Sequence, residues 1–458
     1  RYMGHISLID NGFLLTEAQN SPKHVACLQV WDLPEGKGSA WLRRLLADLK
    51  EEPPGFPFNQ KLNYRIPLQP DLVTDPKVDM DYHVRHTVLP HPGDDEQLWK
   101  TVSRLHANLL DRERPLWEFH LIEGLAGRRF AFYTKIHHAL ADGMTLNRWF
   151  TQSGSEGPED LHTPAIWRGQ KERPEPEGRE PGYTQLMGEA IRLSGGSIRT
   201  VVDMATLTIR LVNGRFFAKD RDITLPLDAP RTPLNVIPGA ARSLTAVTFE
   251  LQDVKNVAHA QGVSINDVLL TMCDVALHRY FAERGEPLEE PLVVYMPVNL
   301  RSEKDRDAGN LLSLLQVRLA SERDDPLAAL HEIRRSSITA RQVFSGFGKP
   351  AIQLYSLAVA LLSLFEEQLK LGKVLPPVQN LVISNVPGPK KELYFRGARG
   401  VYAYPISTLP PMTALNVTAN SYADKMHVGL VAGRTAIPDI DRLARHIQGA
   451  FSDLYTLA

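Results

Sequence analysis

"KIHHALADGMTL", Lys135 to Leu146, sets two adjacent histidines and an aspartate–glycine pair in apolar company. The residues before them, "FAFYTKI" (Phe130 to Ile136), are aromatic and β-branched and predict a strand. "GMTLNRWF" after them predicts the start of a helix. His137 and His138 therefore fall where a strand ends and a turn begins. A scaffold can fix a side chain at such a place and still let it reach a cleft. His138 and Asp142 are four apart and would share a face if the segment turned helically.

Several chemistries compete for this pattern. One imidazole can act as a general base, because its ordinary pKa of ~6.5 lies near working pH, with Asp142 orienting the local structure. The bland alternative is a buried, hydrogen-bonded histidine pair. A metal is a third reading, but no further ligand of the H-E-x-x-H kind stands nearby, so none is expected. A serine nucleophile lacks its G-x-S-x-G elbow, and neither a P-loop nor a G-x-G-x-x-G is present. Ser384 in "ISNVPG" reads better as a turn residue bonding its own backbone. What remains is direct transfer, in which His138 takes the proton of a hydroxyl as that hydroxyl attacks an acyl carbonyl.

On either side of the histidines the chain alternates strand and helix patterns. "HVACLQVWDL" (His24 to Leu33) and "YHVRHTVL" predict strands. "SAWLRRLLADLKE" and "LWKTVSRLHANLLDR" have helical spacing. "PLWEFHLIEGLAGRRFAFYTKIHH" predicts a hairpin turning near Gly124 to Gly127. From Ser153 to Gly182 the chain is rich in Pro, Gly and charge, a composition that predicts a linker or surface excursion. A helical piece follows to Val212. Past Ala241 the alternation resumes, with a helix at "SINDVLLTMCDVALHRYFAERG" whose Ser264 and Asp267 have capping-box spacing. "VQNLVISNVPGP" predicts a strand and "TALNVTANSYADKMHVGLVAG" a hairpin. The expected division is 1–152, a linker and connecting helix over 153–240, and 241–458.

At 458 residues the chain is too long for one ordinary core. Lys plus Arg number 52 and Asp plus Glu 53, a balance that gives a nucleic-acid partner no electrostatic support. Nor is there a polybasic tract to hold an anionic membrane. Two cysteines point to a reducing compartment, and no signal-peptide pattern is visible. A cytoplasmic location is the expectation, peripheral to membrane or lipid inclusions at most. The longest apolar run, Leu354 to Phe365, is short of the roughly 20 residues that span a bilayer and predicts a buried helix.

"HHALADG" resembles the HHxxxDG motif of the CoA-dependent acyltransferase superfamily. "LDRERPLWEFHLIEGL", "NDVLL", "PVNLR" and "SNVPGP" narrow the resemblance to the bacterial wax ester synthase/diacylglycerol acyltransferase family. It runs from "SLIDNGFLLTE" to "SYADKMHVGL". The resemblance implies a mixed α/β fold of two chloramphenicol-acetyltransferase-like subdomains with an active-site tunnel between them. It implies no bound cofactor, with acyl-CoA as co-substrate and a long-chain alcohol or diacylglycerol as acceptor. It makes His138 the base, His137 its neighbour, and Asp142 a structural residue paired with an arginine, Arg301 by expectation. Gly143 would permit a tight turn. Asn266 would bind the oxyanion or the alcohol, or else cap its helix beside Ser264. Leu354, Ala358 and Ala360 would wall the tunnel. Lys390, Lys391, Arg396 and Arg399 would supply cations for CoA, or form a solvated loop. A condensation-domain-like transferase and a non-catalytic lipid-binding protein are the alternatives.

Overall fold

The computed structural model describes residues 3–6, 8–66, 69–169, 198–217, 222–299, 312–321 and 324–458. Two six-stranded sheets dominate it. In the first, the hairpin Trp117–Leu125 and Arg129–His137 lies beside His24–Asp32, with Val84–Val88 running parallel at one edge. Arg128 and the glycines 124 and 127 take left-handed φ at the hairpin turn, as the sequence leads one to expect. The second sheet is ordered Leu312–Arg318, Val293–Asn299, Leu381–Val386, Leu415–Tyr422, Lys425–Gly433 and Arg242–Glu250.

The two halves are not independent. Strand Ala398–Ile406, from the C-terminal half, pairs antiparallel with His24–Asp32, and the short edge strand Tyr394–Phe395 pairs with it in turn to complete the first sheet. A clean boundary at residue 241 therefore does not hold. Where this strand crosses the second sheet, an added Cβ at Gly429 would lie 2.3 Å from the Pro405 carbonyl oxygen, so only glycine fits that approach.

Each face of the second sheet is covered. Helices Ile265–Glu283, Pro326–Phe344 and Ile440–Leu457 join the large core around Leu269, Ile333 and Val417. The expected capping box at Ser264 and Asp267 is formed. On the other side, Leu207 and Leu211 of helix Ile198–Val212 and Tyr355 and Val359 of helix Lys349–Gln368 meet Tyr295 and Val382.

Three expectations need correction here. Part of the presumed linker is core: Trp167 is fully buried, stacked on Trp117 and edge-on to Phe119. The apolar run 354–365 is a helix, but only one face is buried, and Leu361 and Phe365 are exposed. Ser384 lies within a strand, not a turn, and donates to Thr418 Oγ1 across the ladder at 3.0 Å.

Candidate active site

Strand Arg129–His137 runs in the interior of the first sheet, and its last bonds fix both histidines. His137 N–H donates to the Leu116 carbonyl on one side (3.0 Å). His138 N–H donates to the Lys23 carbonyl on the other (2.8 Å). Each such bond contributes about 0.5–1.5 kcal/mol, and together they anchor the turn from both neighbouring strands. Leu116 and Trp117 of "PLW" are buried packing residues, as expected, and the Leu116 carbonyl also positions His137.

The fully buried ring of His137 meets a neighbour at each nitrogen, by a hydrogen bond at Nδ1 and by a longer contact at Nε2. Nδ1 accepts the Ala139 backbone N–H at 3.1 Å, which leaves the proton on Nε2, 3.4 Å from Glu17 Oε1. Glu17 also accepts from Arg112 and from the Lys23 backbone. Burial would raise the Glu17 carboxyl, but His137 and these donors outweigh it and hold it at about 2. His137 is thus a positioned support that faces protein on both sides.

His138 is half-buried, and its ring stacks on Phe13 at 4.1 Å between centroids and 21° between planes. Helix Leu8–Thr16 carries Phe13 to this position and ends beside Glu17. Nδ1 is buried without a partner in another residue. Burial pushes the pKa down to about 4; Asp142 opposes the shift, and His137 adds to it. The ring is neutral at ordinary pH, the form that accepts a proton.

Asp142 is buried and caps helix Gly143–Ser153, its Oδ1 accepting Thr145 N–H at 2.7 Å. Residues 138–141 form a turn, not a helix, so His138 and Asp142 do not share a helical face. The cap is a structural contact; the expected pairing with Arg301 lies outside the described residues. Gly143 departs from expectation. It has no left-handed φ, and an added Cβ would meet nothing within 4 Å. The turn does not need this glycine; it leaves open space at the helix start.

The second half reaches this helix at "SNVPGP". Asn147 Nδ2 donates to the Pro387 carbonyl at 2.9 Å, and Asn385 Nδ2 donates to Asn266 Oδ1 at 2.8 Å. Asn266 is not the cap of its helix, since Ser264 fills that place. With its oxygen committed, its amide N–H groups are the donors it can offer.

Other expected residues stand elsewhere. Ala358 and Ala360 are exposed and Leu354 half-buried, so the two alanines do not wall an interior channel. The inward positions of that helix are Tyr355 and Val359. Three of the four cations proposed for CoA face acids: Lys391 meets Glu156 at 2.6 Å, Arg399 meets Asp32 at 3.2 Å, and Arg396 pairs with Glu52. Among the described residues no group of three or more His, Cys, Asp or Glu side chains is placed to hold a metal. Glu17, Phe13 and Lys23 were not singled out from the sequence. The only signal for them is the acid that closes the helical pattern "SLIDNGFLLTE", just before the first strand.

The profile of the wax ester synthase/diacylglycerol acyltransferase catalytic domain matches residues 6–269, and that of the C-terminal domain of the same family matches residues 308–455. The chain is 37% identical over 453 residues to a probable diacylglycerol O-acyltransferase of Mycobacterium tuberculosis, covering 97% of each. It is 34% identical over 449 residues to the O-acyltransferase WSD of Acinetobacter baylyi, covering 96% of this chain and 94% of the relative. Among solved structures, the wax ester synthase/diacylglycerol acyltransferase of Marinobacter aquaeolei VT8 superposes with a TM-score of 0.78 at 31% identity over 99% of both chains. The first condensation domain of the calcium-dependent antibiotic synthetase shares the fold, with a TM-score of 0.60 at 16% identity over 100% of this chain and 96% of that one.

Proposed function

The chain belongs to the wax ester synthase/diacylglycerol acyltransferase family and is an O-acyltransferase, and we propose that it moves a long-chain acyl group from acyl-CoA to a fatty alcohol, a diacylglycerol or both, with His138 as general base. His138 Nε2 takes the proton of the acceptor hydroxyl. The oxygen attacks the thioester carbonyl, and the tetrahedral intermediate collapses to ester and CoA thiol. No acyl-enzyme forms.

A ring with a pKa of about 4 is a weak base at rest. Proton transfer therefore accompanies attack, because the negative charge developing beside the ring raises its proton affinity as the bond forms. The amide N–H of Asn266 is the candidate donor to that oxyanion from the second half. Asp142 and His137 position the base and do not exchange protons with substrate.

The observation that carries this reading is the clamped, neutral, half-buried ring of His138 just ahead of the helix whose Asn147 bonds Pro387 of the second half. Purified protein with palmitoyl-CoA and hexadecanol tests it: free thiol is released only when the alcohol is present. Thiol release without alcohol, or none at all, counts against it.

Peripheral contact with a membrane or lipid droplet belongs to the same proposal. No described helix is long and apolar enough to cross a membrane. Helices Ile198–Val212 and Lys349–Gln368 and the residues just after them expose Ile209, Phe216, Leu361, Phe365 and Leu369. Large side chains held in water on two neighbouring helices favour burial in a lipid surface.

A further inference from the structure

His138 lacks the usual device for orienting a catalytic imidazole, a carboxylate bonded to its second nitrogen. Nδ1 is buried with no partner in another residue, and Asp142, the carboxylate nearest in sequence, gives Oδ1 to the Thr145 N–H. The bond that clamps His138 to Lys23 reaches its backbone N–H, not its ring. The torsion that carries a flat ring is soft and roughly two-fold, so a fixed backbone does not fix the plane of the imidazole. What lies against that plane is Phe13, with centroids 4.1 Å apart and planes 21° from parallel. At that separation the imidazole cannot turn about its last torsion without driving an edge into the phenyl ring.

Phe13 is itself anchored. Its neighbour Leu14 is buried in a cluster with Leu110, Leu116 and Ala139, and Ala139 directly follows His138. Arg112 donates to the Leu14 carbonyl at 2.5 Å and to Glu17 Oε2 at 3.1 Å. A cation therefore closes the end of helix Leu8–Thr16, where the unpaired carbonyls and the negative end of the helix dipole lie. Thr16 Oγ1 donates to the Gly12 carbonyl at 2.8 Å in the same last turn. Packing on one side and the Arg112 bonds on the other hold the phenyl ring at a set height over His138.

We propose that Phe13 is a positioning residue: its ring sets the plane of the His138 imidazole and so aims the lone pair that takes the acceptor's proton. This rests on the general-base reading above and adds to it what holds the base. Catalytic groups work within about 10–20° of their productive orientation, and a ring free to tilt would leave that range. Here an aromatic face does what a bonded carboxylate does elsewhere, and it adds no charge beside the ring. Phe13 does not exchange protons and acts only through His138.

The test compares Phe13→Leu, which keeps an apolar side chain but removes the plane, with Phe13→Tyr, which keeps the plane. In thiol release from palmitoyl-CoA with hexadecanol, the leucine variant should lose kcat about tenfold while KM for either substrate stays within about twofold. The tyrosine variant should stay within about twofold of wild type. The leucine effect should also vanish in the His138→Ala background, because the group that Phe13 aims is gone. All variants are compared at matched folded concentration; if the leucine variant melts below the assay temperature, Phe13→Met makes the same comparison. Wild-type kcat in the leucine variant overturns the proposal. So does a rise in KM alone, which would make Phe13 a wall of the substrate site, and so do equal losses with leucine and tyrosine. A leucine loss that persists beside His138→Ala overturns it as well. If His138→Ala alone keeps wild-type turnover, the general-base reading fails and this proposal falls with it; the other outcomes strike Phe13 and leave that reading standing.

Discussion

Glu17 stands 3.4 Å from Nε2 of His137, and this contact joins the first helix of the chain to the end of the central strand. The carboxylate is almost fully buried and also binds Arg112 and the backbone of Lys23, the residue whose carbonyl holds His138. Glu17→Gln keeps the shape but removes the charge. Hydrogen bonds to charged groups contribute about 1.5–3 kcal/mol each, so thermal unfolding should begin earlier and turnover should fall roughly tenfold. Unchanged melting and turnover would mean that Glu17 does not hold the histidine turn.

Gly143 gives a prediction in the opposite sense. Its φ is not left-handed, and a Cβ would point into open space. Gly143→Ala should melt no earlier than wild type, since alanine is the better helix former. Gly143→Leu should fold as well but lose turnover, if that space is where substrate passes His138. Full activity in the leucine variant would show that the space serves nothing.

Acid should weaken the fold before it titrates the base. His138 is pushed by burial down to about 4 from its ordinary value near 6.5, so the unfolded chain binds its proton first as pH falls. Stability from this group is fully present above about 6.5 and is lost between there and 4, at up to ~1.4 kcal/mol per pH unit. Burial lowers His24, His106 and His427 in the same direction. Burial would raise Glu17 and Glu118, but His137, the Lys23 backbone and Arg112 hold the first at about 2, and His120, Lys135 and Arg85 hold the second there, so the stability they give is lost only below their ordinary range. Melting temperature should therefore decline from about pH 6.5 downward. In brief assays on still-folded protein, kcat/KM should hold to pH 5 and drop near 4. A limb near 6.5 in kcat/KM would contradict the neutral, buried base.

The exposed apolar residues on the two outer helices predict surface binding. Phe365→Glu together with Leu369→Glu should cut co-sedimentation with phospholipid vesicles several-fold and leave the melting temperature close to wild type, since both side chains already face water. Equal co-sedimentation would remove this face from the account.

Local pattern carried much of the fold into the sequence. The aromatic, β-branched run before His137 and the capping spacing at Ser264 each predict the element that forms. What was not legible depends on distant partners. "ARGVYAYPI" carries a glycine and a proline and gains its place only by pairing with His24–Asp32 at the far end of the chain. Trp167 sits in a stretch whose composition reads as linker, and only its stack on Trp117 makes it core. At the site, the motif named His137, His138 and Asp142, because those residues are adjacent in sequence. Glu17 and Phe13 come from another element, and only the acid closing the pattern of that helix marks them. Ala358 and Ala360 are small residues in an apolar run, but hydrophobicity alone does not say which face of a helix looks inward.

The ring of His138 is the group proposed to take the acceptor's proton. Thiol release from palmitoyl-CoA in the presence of hexadecanol, compared between wild type and His138→Ala at matched folded concentration, measures it most directly. Turnover of the alanine variant should fall about 10²–10⁴-fold with circular dichroism and melting preserved; turnover within a factor of two of wild type would mean that another group takes the proton.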